Sequence, residues 1–154
     1  MSTVIERRRT RTPADHGRVM ESELPRAHER GAPLRILGAA TLLVVAGVHL
    51  EQYFGVHFRV IPVIGPLFLL NFIGSTLIAL GLLMPVRRLH GLLALGGIAV
   101  GIVSIVFFEL SEHGGIFGFQ DYGYRAAIVI ALAAEAATAI LLAGYLALQA
   151  RTAR

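Results

Sequence analysis

Residues 60–86, VIPVIGPLFLLNFIGSTLIALGLLMPV, are 27 consecutive positions without a formal charge, bounded by Arg59 and Arg87. A helix needs about 20 apolar residues to cross ~30 Å of hydrocarbon, so a run of this length reads as a membrane span. Pro62 and Pro66 suit its first turn, where a missing N–H is not needed. Outward from it lie three more runs of the same kind. The spacing predicts helices over 34–53, 62–84, 89–110 and 125–148, the last interrupted only by Glu135.

Composition agrees with this. Of the 154 residues, 55% are hydrophobic and 16% charged, whereas a soluble domain needs about a quarter charged to cover its surface. The absence of cysteine rules out disulfides, thiolate metal sites and a cysteine nucleophile. Residues 1–33 are different. They are rich in arginine (Arg7, Arg8, Arg9, Arg11, Arg18, Arg26, Arg30), mixed with acids and without apolar periodicity. They are expected to form a disordered tail with a short helix near 19–24, because too little apolar surface is on offer to offset chain entropy. The fold class is therefore all-α: an integral membrane four-helix bundle over 34–150 with a disordered N-terminal tail.

Arginine placement sets the orientation. Of 14 basic residues, all arginine, only Arg59 and Arg125 fall in the connections opposite the tail, the Arg87–Arg88 turn and the C-terminal end. Short loops rich in Lys or Arg stay in the cytoplasm, which puts both termini inside a bacterial plasma membrane. Arg35 can snorkel at the start of the first span. The outer connection 111–124 is rich in glycine and aromatic residues, placed like an interfacial belt. The expected partners are the bilayer, anionic headgroups at the arginine-rich tail, and a homo-oligomer or larger membrane complex. The tail lacks the interleaved aromatics of a nucleic-acid binder.

Membrane helices associate through close approach at small residues and through polar contacts. Gly97 and Gly101 form a G-x-x-x-G pair on the third span, and Ala131 and Ala139 flank Glu135 on a small-residue ridge of the fourth. These are the expected packing positions. Glu135 is the strongest single signal for chemistry, since a carboxylate near mid-membrane costs at least ~2.5 kcal/mol unless paired, hydrated or protonated. It reads either as a neutral acid hydrogen-bonded to Asn71, Ser75 or Thr138, or as a proton- or cation-binding carboxylate, or as the partner of a helix in another protein. A second group, His49, Glu109, Glu112 and His113, gathers toward the outer side, the last three on one helix face. It could hold a metal, and His49 with His113 could ligate a haem; otherwise no cofactor is expected. His16, His28 and His90 read as exposed. Spans one and three both end in polar clusters and spans two and four both carry a polar residue, Asn71 and Glu135, part-way in, a faint two-fold repeat. No P-loop, dinucleotide fingerprint, nucleophile elbow or H-E-x-x-H occurs.

The stretch Leu34-Arg35-Ile36-Leu37-Gly38, then Ala46-Gly47-Val48-His49-Leu50 and Ile64-Gly65-Pro66-Leu67-Phe68-Leu69-Leu70-Asn71, resembles small four-span proteins of actinobacteria. The order of Arg-x-x-x-Gly, Ala-Gly-x-His and Gly81-Leu82-Leu83-Met84 before an arginine turn is similar to DoxX-like families. That resemblance implies a four-helix bundle and an association with membrane redox or thiol-stress systems. On the residues themselves, the leading expectation is a non-enzymatic accessory or structural subunit of a membrane assembly. The alternatives are a small homo-oligomeric proton- or cation-coupled transporter using Glu135, four helices alone being expected to enclose little volume, and a metal- or haem-binding redox component.

Overall fold

The computed structural model describes residues 13–120 and 123–152. It has helices α1 (Pro13–Phe54), α2 (Ile64–Leu83), α3 (His90–Gly114) and α4 (Ala126–Thr152), with 3-10 turns at Phe58–Val60 and Arg87–Leu89. Among the described residues there is no strand, only an isolated antiparallel bridge between Ile116 and Phe119. Four segments, Gly31–Phe54, Ile64–Leu83, Arg87–Gly114 and Ala126–Arg151, are long and apolar enough to cross a membrane. The chain is a multi-pass membrane protein.

The ends of the helices differ from expectation for local reasons. Val63 takes φ 66, which no α-helix admits, so α2 begins at Ile64 and leaves Pro62 in the preceding turn. Pro66 falls within the first turn, where proline is tolerated. α3 runs past Leu110 to Gly114 and stops where Gly115 adopts φ 73. α1 starts at Pro13, so its N-terminal half passes through the stretch expected to be tail, and residues 1–12 lie outside those described.

Each helix packs on two neighbours in a ring, α1–α4 being the most extensive seam and α2–α3 the sparsest of the four. The two halves of the bundle are built differently. Toward the α2–α3 turn, Ala39, Leu42, Ala79, Leu82, Ala94, Leu142 and Tyr145 form a closed core. Glycines make that closeness possible: a Cβ on Gly38 would stand 2.5 Å from Leu142 Cδ2, and one on Gly97 2.5 Å from Leu142 Cδ1. His90, expected exposed, is 2% exposed, and its Nε2–H donates to the Met84 carbonyl at 2.9 Å across the turn. A tight turn between two helices carries backbone carbonyls out of the α2 ladder, and an adjacent imidazole is drawn in to satisfy one. Thr138 Oγ1 donates to Thr41 Oγ1 at 2.7 Å between α4 and α1, and Thr41 Oγ1 donates to Gly38 O at 3.0 Å. The opposite half is hollow.

Candidate intramembrane binding site

The hollow half encloses a cavity of about 360 Å³ lined by all four helices. Helical spacing explains who faces it: His49 and Gln52 are one turn apart on α1, Phe68 and Asn71 on α2, Phe107 and Ser111 on α3, and Ala131 and Glu135 on α4. The walls are chiefly aliphatic and aromatic. Among the described residues lining it, His49 and Glu135 are the only titratable ones.

Glu135 is 2% exposed. Its position follows from Gly101, where α3 comes so close that an added Cβ would lie 2.8 Å from the Glu135 carbonyl oxygen. His49 Nε2 stands 3.9 Å from Glu135 Oε1, beyond direct hydrogen bonding. The other ring nitrogen, Nδ1, donates to the Val45 carbonyl at 2.9 Å, which fixes the tautomer and leaves Nε2 as an acceptor in the neutral ring. Phe68 lies against the imidazole, centroids 5.1 Å apart.

A chain of neutral donors reaches Glu135 from the far side. Ser75 Oγ donates to Asn71 Oδ1 at 2.9 Å, Asn71 Nδ2 donates to Ser104 Oγ at 2.5 Å, and Ser104 is the hydrogen-bonding neighbour of the carboxylate. Asn71 and Ser75 thus reach Glu135 only through Ser104, and Thr138 turns to Thr41 instead. Gln52, 4% exposed, gives its Nε2–H to Glu51 Oε2 at 2.5 Å. Because a carboxylate must receive an N–H, that bond fixes the amide's orientation, and Gln52 Oε1 is left buried without a partner.

Aromatic rings close the outer end. Phe58 stacks edge-on with Phe68 at 5.1 Å and with Phe119 at 5.4 Å, and the Arg125 guanidinium lies 5.7 Å above the Phe58 ring. Phe119, expected in an interfacial belt, is turned into the cavity instead, because the Ile116–Phe119 bridge folds the loop back over it. Phe117 and Tyr124 stay exposed, and Tyr122 lies outside the described residues.

The set His49, Glu109, Glu112 and His113 does not come together: among the described residues no group of three His, Asp or Glu could hold a metal. His49 faces inward to Glu135, whereas the other three sit at the outer end of α3 and are otherwise engaged. The Gly123 amide donates to both Glu112 oxygens at 3.1 and 3.2 Å, and Tyr124 Oη donates to Glu109 Oε1 at 3.4 Å. His113 Nδ1 lies 3.0 Å from the Glu109 carbonyl oxygen, so the ring bonds its own helix. Partial desolvation, and then the neighbouring Glu109 and Glu112 charges, push the Tyr124 phenol above its ordinary value.

Sequence reading singled out Glu135, Asn71 and Ser75 but missed Gln52, Ser104 and the inward role of His49. The available signal was register: Ser104 lies seven residues before Ser111, and His49 three before Gln52, each on one helix face.

No family model, curated protein or solved structure matches this chain.

Proposed function

We propose that this protein is a small proton-coupled carrier of the bacterial plasma membrane, both termini cytoplasmic, which takes a lipid-soluble ligand into its cavity and exchanges a proton at the Glu135–His49 pair. One observation carries this reading: a cavity of about 360 Å³ inside a single chain, with a carboxylate and an imidazole facing each other across 3.9 Å. A buried acid retained only for structure is expected to be tied by neighbours on every side, whereas Glu135 has Ser104 on one side and lines open space on the other. No second copy is needed to form the chamber. Of the small residues expected at packing positions, Gly97 and Gly101 pack on α1 and α4 inside the bundle, and Ala131 lines the cavity. The skew of arginines supports the orientation, and the order of short motifs supports kinship with DoxX-like four-helix proteins.

Dicyclohexylcarbodiimide, which dissolves in lipid and reacts with protonated carboxyl groups, tests the reading. Mass analysis of the treated protein is expected to place the adduct on Glu135, with none in Glu135→Gln. An unmodified Glu135 would mean a sealed structural acid and would end the carrier proposal.

A further inference from the structure

We infer that the ligand of this cavity is a lipophilic primary amine, bound as its ammonium ion and admitted sideways from the bilayer between α2 and α3. This rests on the carrier reading and names its substrate class. His49 Nε2 is an acceptor because Nδ1–H is committed to Val45, Gln52 Oε1 is a buried acceptor without a partner, and Glu135 is an acceptor when ionised. All three line the same cavity. Gln52 Oε1 is buried without a partner, and His49 Nε2 and, once it has given up its proton, Glu135 offer further acceptors to the same space, so the site suits a ligand that donates.

An alcohol offers one donor, a carboxylate none, and a primary ammonium three on a single nitrogen. The His49 and Glu135 acceptors, 3.9 Å apart, are too far to bond each other and close enough for one nitrogen to reach both. Charge points the same way, because no Arg or Lys is among the described lining residues. Phenylalanine rings (Phe68, Phe107, Phe108 and Phe119) supply aromatic surface that attracts a cation and receives an apolar tail.

The path follows from exposure. Leu70 of α2 is 65% exposed and Val103 of α3 53%, yet both also line the cavity, on either side of the sparsest seam of the bundle. The chamber therefore reaches the lipid-facing surface there. Arg59 and Arg125, each above a phenylalanine at the outer end, disfavour a cation arriving from the water on that side. An amine dissolved in the bilayer as the free base takes the proton of the Glu135 carboxyl group on arrival. Its nitrogen becomes ammonium and Glu135 becomes carboxylate, so no net charge crosses lipid.

Three probes of one skeleton, 4-phenylbutylamine, 4-phenylbutanol and 4-phenylbutyrate, are titrated calorimetrically into the full chain in lipid nanodiscs, with empty nanodiscs as reference. The amine is expected to bind saturably, at least tenfold more tightly than either analogue, and Glu135→Gln to weaken it at least tenfold. Gly74 lines the cavity and a Cβ there meets nothing within 4 Å, so Gly74→Leu is expected to project into the space and to abolish binding. Tighter binding of the alcohol or the carboxylate overturns the amine assignment while the carrier reading stands. Amine binding unchanged in Gly74→Leu places the amine elsewhere and overturns the site. No binding of any probe, although carbodiimide still modifies Glu135, overturns the amine assignment alone.

Discussion

Single side chains in this protein are governed by where their hydrogen-bonding partners run out. Tyr124 is a case at the surface, where its hydroxyl meets Glu109 and lies near Glu112. A raised phenol pKa means that the folded state keeps a proton the unfolded chain loses. Any stability from this contact is thus present in full below about pH 10 and declines as the pH rises through the folded value. The ring is exposed, so the effect is best read as a titration. Tyrosinate absorbance should rise at lower pH in Glu109→Gln than in the parent, and superimposable curves would show that the carboxylate does not act on the ring. Inside the bundle, Glu135 was legible from sequence because one acid in a long apolar run is conspicuous. Gln52 and Ser104 were not, since an amide near a span end or a lone hydroxyl within a span is ordinary and becomes informative only when its neighbours in space are known.

At the scale of helices, the two halves of α3 make different demands on their glycines. A Cβ on Gly97 would meet the tips of Leu142 and Leu42, which can rotate away, whereas one on Gly101 would meet the backbone carbonyl of Glu135, which cannot. Gly101→Ala is therefore expected to cost more than Gly97→Ala, about 1–3 kcal/mol against less than about 1.5 kcal/mol, although the nominal contact at Gly97 is shorter. Reversible unfolding of the two variants in mixed micelles gives the order, and the reverse order would show that α3 and α4 can slide apart at Glu135. The element pattern itself was open to sequence reading: four apolar runs, their order and most of their limits follow from length and charge alone. The start of α2 was misplaced by two residues because Val63 adopts a backbone conformation that β-branched residues rarely take, and no sequence rule anticipates it.

For the whole molecule, orientation is the property on which the carrier proposal depends. With no native cysteine, single substitutions report cleanly. Val60→Cys, in the exposed 3-10 turn after α1, should react with an impermeant maleimide added to intact cells. Val86→Cys, exposed before α3, should react only after the cells are opened. The opposite pattern would invert the protein and place the phenylalanine-capped end in the cytoplasm. That one half is a chamber was not legible from sequence, because a volume arises from how four helices splay and no single helix encodes it. The bond from His49 Nδ1 to its own helix has a consequence for bioenergetics. A proton that arrives at Nε2 cannot leave by the other side of the ring without breaking that bond, and the opposite half of the bundle is filled by the buried core of Leu42, Ala79, Leu82 and Leu142. A pair so placed would act as a terminus, not a conductor. On the carrier reading, a cell would hold many copies of this protein and keep its membrane electrically tight, with no short circuit of the proton gradient while the chamber stands empty.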